Sequence, residues 1–430
     1  MSGNEKKTMV PRLRFPEFCN DQPWSFQALG KLAKRSTQKN VSGDITRVLT
    51  NSAEYGVIDQ RDFFDKDIAN QGNLEGYYII EKGDYVYNPR ISVTAPVGPV
   101  SKNRIGLGVM SPLYTVFRFN NKQNDFYAHY FKSTHWHHYM RQVSSTGARH
   151  DRMSITNDDF MGLPLPVSKP EEQKKIANCL SSLDELITAE TQKLDTLKTH
   201  KKGLMQQLFP REGETVPRLR FPEFREAGEW TECELGSLTT KVGSGITPTG
   251  GNKNYKTDGR PFVRSQNIGW GKLILDDVVF IDEGTHKSFD STEIKVSDVL
   301  LNITGASIGR SAVADSRIAG GNVNQHVCII RVKHNELNPT LLNQFLISER
   351  GQKKIDSFQA GGNRQGLNFA QIRSFEIPLP PTKNEQRRIA DCLSSLNDRI
   401  TAQNQKIDTL KSHKRGLMQQ LFPALDEVPA

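Results

Sequence analysis

Side chains able to read nucleic-acid bases recur in short loop-forming segments of this 430-residue chain. Arginine forks match guanine, the amides of asparagine and glutamine match adenine in the major groove, and lysine or arginine binds phosphates. One set comprises Asn88, Arg90 and Ser92, then Lys102 and Arg104, then Arg149, His150 and Arg152. A second comprises Thr247, Lys253 and Lys256, then Arg264, Gln266 and Asn267, then Arg310, Asn324 and Gln325, then Asn363, Arg364 and Gln365. Any one of them taken singly has an ordinary loop role as its alternative; the clustering is what points to DNA.

Other constellations point to different chemistry. Asp276 or Asp277 with Glu293 and Lys295 loosely copies a metal-dependent nuclease spacing, but no second ligand cluster supports it. His135, His137 and His138 invite a metal, yet Trp136 and Tyr139 between and beside them suit an aromatic packing face. The run Gly305-Ala-Ser-Ile-Gly-Arg-Ser311 is one residue short of a phosphate loop and lacks its lysine. Methyltransferase tetrapeptides of the Asn-Pro-Pro-Tyr type are absent, and Cys19, Cys179, Cys233, Cys328 and Cys392 are scattered without paired spacing. No metal and no cofactor are therefore expected on this chain. The alternatives to a DNA reader are a tandem-domain metal-dependent nuclease and a coiled-coil scaffold that binds only proteins.

The elements that position these segments come in duplicate. Val10-Pro-Arg-Leu-Arg-Phe-Pro-Glu-Phe18 returns letter for letter at 216–224, and Trp24, Leu29, Gly30 and Leu32 return as Trp230, Leu235, Gly236 and Leu238. Residues 171–210 and 384–423 share 28 identities in 40 positions, whereas the middles hardly resemble each other. Matching ends around unlike middles imply one structural task done twice for two different ligands. They also imply two copies of a partner, one per repeat.

Both closing segments are heptad helices. Ile176, Leu180, Leu183, Ile187, Leu194, Leu197, Leu204 and Leu208 form one apolar seam, with Glu190 and Lys201 at its polar positions. Ile389, Leu393, Leu396, Ile400, Ile407, Leu410, Leu417 and Leu421 form the other, with Gln403 and Lys414. Pro170 and Pro381 mark the starts, Pro210 and Pro423 the ends. At about 1.5 Å per residue, 171–208 makes a rod of roughly 57 Å. Chain order favours antiparallel pairing, because a parallel pair needs a long return connection. The middles read as mixed α/β. Strands are expected at 77–80, 84–87 and 114–119 and a helix at 125–142, then strands at 260–264, 299–303 and 327–332 and a helix at 339–358.

Net charge is +9 and the pI about 9.2, which suits a polyanionic partner. Residues 19–162 nevertheless carry 17 basic and 14 acidic side chains, and 225–376 carry 18 and 17, so contact must come from local clusters. No apolar run approaches the roughly 20 residues of a membrane span, and the polar start at Met1 to Lys7 resembles no secretory leader; a cytoplasmic location is expected.

Leu163-Pro-Leu-Pro166 with Glu172 and Gln173, followed by a long helix ending Lys-Lys-Gly-Leu-Met-Gln-Gln-Leu-Phe, resembles the central conserved region of type I restriction-modification specificity (S) subunits. Leu379-Pro-Pro381 with Glu385 and Gln386 resembles the distal one. Segments 108–114, 147–152, 245–248, 305–309 and 322–325 are similar to loops of target recognition domains. The resemblance implies two tandem mixed α/β target recognition domains joined by two long helices pairing as an antiparallel coiled coil. The expected layout is a strap (1–18), the first recognition domain (19–166), the first helix (167–210), a linker repeating the strap (211–224), the second domain (225–380), the second helix (381–423) and a tail (424–430). It also implies a bipartite, asymmetric double-stranded DNA target, two docked methyltransferase subunits and, through them, restriction and translocase subunits. S-adenosylmethionine, ATP and magnesium would then belong to those partners, and the helices would set the distance between half-sites.

Overall fold

The computed structural model describes residues 9–63, 74–144, 151–248, 250–251, 255–359 and 366–423. The chain divides into two units, 1–189 with 406–430 and 190–405, so each holds one variable middle and part of both long helices. Pro170–Leu208 and Lys383–Leu421 are continuous helices of 39 residues each. No seam residue named above is exposed.

The helices pack antiparallel, as their order in the chain implied. In the first unit Ile176 and Leu180 share a core with Met418 and Leu421, and Lys414 Nζ donates to Asp184 Oδ1 at 2.5 Å. In the second, Met205 and Leu208 share a core with Ile389 and Leu393, and Gln403 Nε2 donates to Glu190 Oε2 at 2.6 Å. Three of the four polar seam positions thus have polar partners.

In the first unit, Ser25–Ala28 pairs antiparallel with Pro164–Val167, clasping the two ends of the variable middle. Between them lies an antiparallel sheet ordered Ala33–Arg35, Thr115–Phe119, Tyr85–Tyr87, Val100–Lys102. Its core is aromatic, built from Trp24, Tyr85, Phe117, Phe126, Tyr130, Trp136 and Phe160. The second unit has the same clasp, Thr231–Glu234 on Glu376–Leu379, and a sheet ordered Thr239–Ser244, Val327–Val332, Val299–Asn302, Ser311–Val313. Its core is largely aliphatic. A further sheet sets Arg260–Val263 between Val279–Ile281 and Asn322–Val323.

All six expected strands are present, with five of their twelve ends shifted by one residue. Each expected helix is two. The first breaks between Asp125–Tyr130 and His137–Val143, where Ser133 Oγ bonds the Tyr130 carbonyl at 2.6 Å and the chain turns Trp136 into the core. The second breaks between Pro339–Leu346 and Glu349–Ser357, because Ser348 caps a new helix by accepting from Gly351 N. Gly351 is needed there: a Cβ would lie 2.1 Å from the Phe345 carbonyl oxygen.

The repeated nine-residue segment explains itself in this frame. Arg14 grips Glu172 with two hydrogen bonds, 2.7 and 2.9 Å, and Arg220 grips Glu385 at 2.7 and 2.8 Å. All four side chains are at least nine-tenths buried. Each segment also binds the end of the other long helix, through Leu13 N to Gln420 O and Leu219 N to Gln207 O, both at 3.0 Å. The strap thus ties a helix start to a helix end in both units.

Removing one partner of a buried pair strands the other charge, so Arg14→Ala or Glu385→Ala should lower unfolding free energy by about 3 to 5 kcal/mol. The paired change Arg220→Met with Glu385→Leu should cost much less, and denaturant titration separates the two outcomes.

His129 joins the first middle to its helix, with Nε2 3.0 Å from Ser181 Oγ. Burial pushes its pKa down to about 4, with Lys414 and Lys132 adding to the shift. An unfolded histidine titrates near 6.5, so this site's stabilisation is fully present above that pH and is lost as pH falls through about 4. The gap corresponds to about 3 kcal/mol. His129→Gln should flatten the acid limb of the first unit's stability profile without abolishing it, because His137 is also pushed down to about 4 by burial. An unchanged limb would contradict this assignment.

Candidate nucleic-acid interface

In the first unit, the segments around Arg90 and Arg152 zip together. Ile91 N donates to Asp151 O at 3.0 Å, Met153 N to Pro89 O at 2.9 Å, and Arg90 and Arg152 face each other in an antiparallel bridge. Asn88 and Ser92 shape the loop. Asn88 Oδ1 accepts from Arg90 N, its Nδ2 donates to Asn51 O, and Ser92 Oγ accepts from Ala95 N. Arg90 is exposed and Arg152 half-buried, so two guanidinium groups stand on one short bridge. Lys102 and Arg104 lie elsewhere, both bonded to Asp125 Oδ1, at 3.0 and 2.8 Å. These bonds hold the Asp125 carboxyl below the usual range even though its burial opposes that shift.

In the second unit the candidates fall into two clusters. Asp277 gathers the first: Arg264 Nη2 donates to its carbonyl at 2.7 Å, Asn267 Nδ2 to Oδ1 at 2.8 Å, and Gln266 Nε2 to Oδ2. Asn267 is fully buried and its Oδ1 accepts from Arg264 N, so it supports the segment from within. Arg264 lies over the Tyr255 ring at 5.5 Å, and Gln266 is exposed.

The second cluster is a side-chain relay across three loops. Thr247 Oγ1 donates to Gln325 Oε1, and Gln325 Nε2 donates to His326 Nε2 at 3.2 Å. That leaves the ring proton on Nδ1, donated to Thr304 Oγ1 at 2.6 Å. Asn324, buried, accepts from His326 N. Gly245 allows the loops to meet, because a Cβ there would lie 1.6 Å from the Val323 carbonyl oxygen. The half-buried Arg310 makes no ion pair or side-chain hydrogen bond among the described residues. Lys256 is exposed and its backbone bridges Phe280. Arg149, His150, Lys253, Asn363, Arg364 and Gln365 lie outside the described residues.

Three participants escaped the sequence reading. Thr304 and His326 complete the relay, and Val93 stands fully exposed beside the Arg90 turn. An apolar residue between Ser92 and Thr94, in a run bounded by Pro89 and Pro96, is the signal that marks Val93. No comparable signal marks His326, whose role depends on three distant loops meeting.

The residues considered for other chemistry are engaged differently. Asp277 is committed to the cluster above, and Glu293 Oε2 lies 3.8 Å from His286 Nε2. Lys295 N donates to Asp298. His135 and His137 sit against the rings of Tyr130, Phe422 and Trp136. Among the described residues no group of three or more His, Cys, Asp or Glu is placed to hold a metal, and no helix is long and apolar enough to cross a membrane.

Comparison with known proteins converges on one family. The type I restriction-modification DNA specificity domain matches twice, over residues 26–199 and 227–412. The MjaVIII type I restriction enzyme specificity subunit of Methanocaldococcus jannaschii is 23% identical over 327 residues, 73% of each chain. The EcoKI specificity subunit of Escherichia coli is 28% identical over 178 residues, 39% of this chain and 36% of that one. The type I restriction-modification S subunit of M. genitalium has the same fold, with a TM-score of 0.60 at 15% identity over 97% of this chain and all of that one. A chain solved in a study of complex assembly and conformational transition of the type I R-M system gives 0.55 at 16% identity, over 93% and 97%. With two copies of that domain spanning most of its length, the chain belongs to the type I restriction-modification DNA specificity family.

Proposed function

We propose that this specificity subunit reads a bipartite, asymmetric double-stranded DNA target, one half-site per unit, and holds two methyltransferase subunits, and through them restriction and translocase subunits, in the cytoplasm. The observation that carries this reading is the duplicated frame, with the same clasp and the same Arg–Glu grip around two unlike sets of loops. A frame built twice suits a partner bound twice; loops that differ suit two different sequences. The chain itself performs no catalysis in this reading. S-adenosylmethionine, ATP and magnesium act on the partners, while this chain binds, orients and selects.

Base reading falls to the loops. In the first unit Arg90 and Arg152 offer guanine-matching forks, and Val93 offers a surface for a thymine methyl group. In the second, Gln325 is held by the relay and Gln266 stands on the Asp277 cluster. Arg104, Lys253, Lys256 and Arg310 suit phosphates, and Arg149 and Arg364 offer further guanine-matching forks.

Replacing residues 19–162 with the corresponding segment of a relative should change one half-site and leave the other intact. If both half-sites changed, separate readers would be excluded. Arg90→Ala should weaken binding to the specific target by about 1 to 3 kcal/mol with little effect on unrelated DNA, if the side chain reads a base. Equal weakening on every sequence in a fluorescence-anisotropy titration would make it a phosphate contact instead.

A further inference from the structure

Inside the two unlike middles one short piece of backbone is built twice. Residues 48–58, Val-Leu-Thr-Asn-Ser-Ala-Glu-Tyr-Gly-Val-Ile, and 263–273, Val-Arg-Ser-Gln-Asn-Ile-Gly-Trp-Gly-Lys-Leu, share two letters of eleven. Both nevertheless double back on themselves, through Leu49–Ser52 on Gly56–Asp59 and through the bridge of Ile268 with Leu273. Each turn carries an aromatic residue and then a glycine in the left-handed region, Tyr55-Gly56 at φ 70° and Trp270-Gly271 at φ 78°. Each lies on the same edge strand of its four-stranded sheet, 100–102 or 311–313. A Cβ on Gly56 would lie 3.5 Å from Ser101 Cβ, and Gly271 N donates to Ser311 O at 2.8 Å. An asparagine ending the adjoining strand fastens each hairpin to the loop with Arg90 or Thr304: Asn88 Nδ2 donates to Asn51 O at 3.0 Å, and Asn302 Nδ2 to Ser265 O at 2.8 Å.

Tyr55 is 62% exposed and Trp270 53%. They are the only exposed aromatic side chains among the described residues. The Tyr55 hydroxyl bonds the neighbouring Glu54, which raises its pKa, and its ring remains open to solvent. One exposed ring on a protein surface needs no explanation. Two, both on the same turn of middles that otherwise diverge, mark a task that the units share.

We propose that Tyr55 and Trp270 stack on DNA, each on a base left bare in its own half-site when the partner methyltransferase draws its target base out of the duplex. This rests on the reading under Proposed function and adds a contact that does not depend on sequence. Enzymes that modify a base take it out of the stack and leave its neighbours exposed. Every base offers a π-face, so an aromatic ring serves unlike half-sites equally well. DNA is favoured over a protein partner because the turns adjoin the candidate readers: Gln266 and Lys272 lie in the Trp270 hairpin, and Arg310 precedes the Ser311 that the turn bonds.

The test uses the full chain assembled with its methyltransferase and a duplex bearing the target that the assembly methylates. Trp24, Trp136 and Trp230 are buried, so 5-hydroxytryptophan incorporated in this chain alone reports position 270 to acrylamide, at wavelengths the partner's tryptophans do not absorb. The duplex should shield it and the methyltransferase without DNA should not. Trp270→Ala should weaken binding of that duplex about tenfold and Trp270→Phe far less, with melting temperature essentially unchanged. With 2-aminopurine as the target base, Trp270→Ala should reduce the fluorescence rise in one half-site and Tyr55→Ala in the other. Shielding by the methyltransferase alone would assign the turn to a protein contact and overturn the proposal, as would a 2-aminopurine rise that neither alanine variant alters. No specific DNA binding by the unaltered assembly would overturn the functional reading itself.

Discussion

The arrangement depends on a buried ion pair made twice. Glu172 and Glu385 lie at the starts of the long helices with essentially no solvent, and a bare carboxylate there would be strongly disfavoured. Each is satisfied only when a strap crosses it and brings an arginine, which then also bonds a carbonyl beyond the strap, Asp21 O at 2.9 Å or Gly228 O at 2.7 Å. Buried pairs of this kind contribute little net stability compared with apolar residues, so their value lies in tolerating only one arrangement. The strap must be in place, and with it the strand that clasps each variable middle. The two grips differ in one detail: Trp24 Nε1 also bonds Glu172, at 3.0 Å, whereas Trp230 Nε1 is buried without a hydrogen-bond partner among the described residues.

Polar positions in the helix seam act in the same way. Gln403 bonds both the backbone and the carboxylate of Glu190, and Lys414 pairs with Asp184, so a slip of register would bury these groups unpaired. The seams are not copies of each other. Asn397 stands where the second helix would repeat Asp184, and Lys201, the counterpart of Lys414, makes no ion pair among the described residues. Burial pushes the Lys201 pKa down. The lysine is thus present in both copies and its carboxylate partner in one.

The frame was legible because it rests on periodicity and repetition. Heptad spacing located both helices within a residue or two, and alternating apolar runs located the strands. Helix breaks at Trp136 and Ser348 were not legible, since local pattern continues across them and only packing of the tryptophan and capping by the serine reveal the turn. At the candidate site, residue type marked loop segments but not what each side chain bonds. Asn267 and Asn324 carry the side chains expected of base readers and are instead buried supports, while Thr304 and His326 enter through contacts between segments far apart in sequence.

One frame carrying two different readers is the central claim, and the methylated bases of DNA from cells making this chain with its methyltransferase test it most directly. The account predicts modification at a target of two unlike half-sites separated by a fixed run of unspecified bases. A single continuous motif, or two identical half-sites, would contradict it.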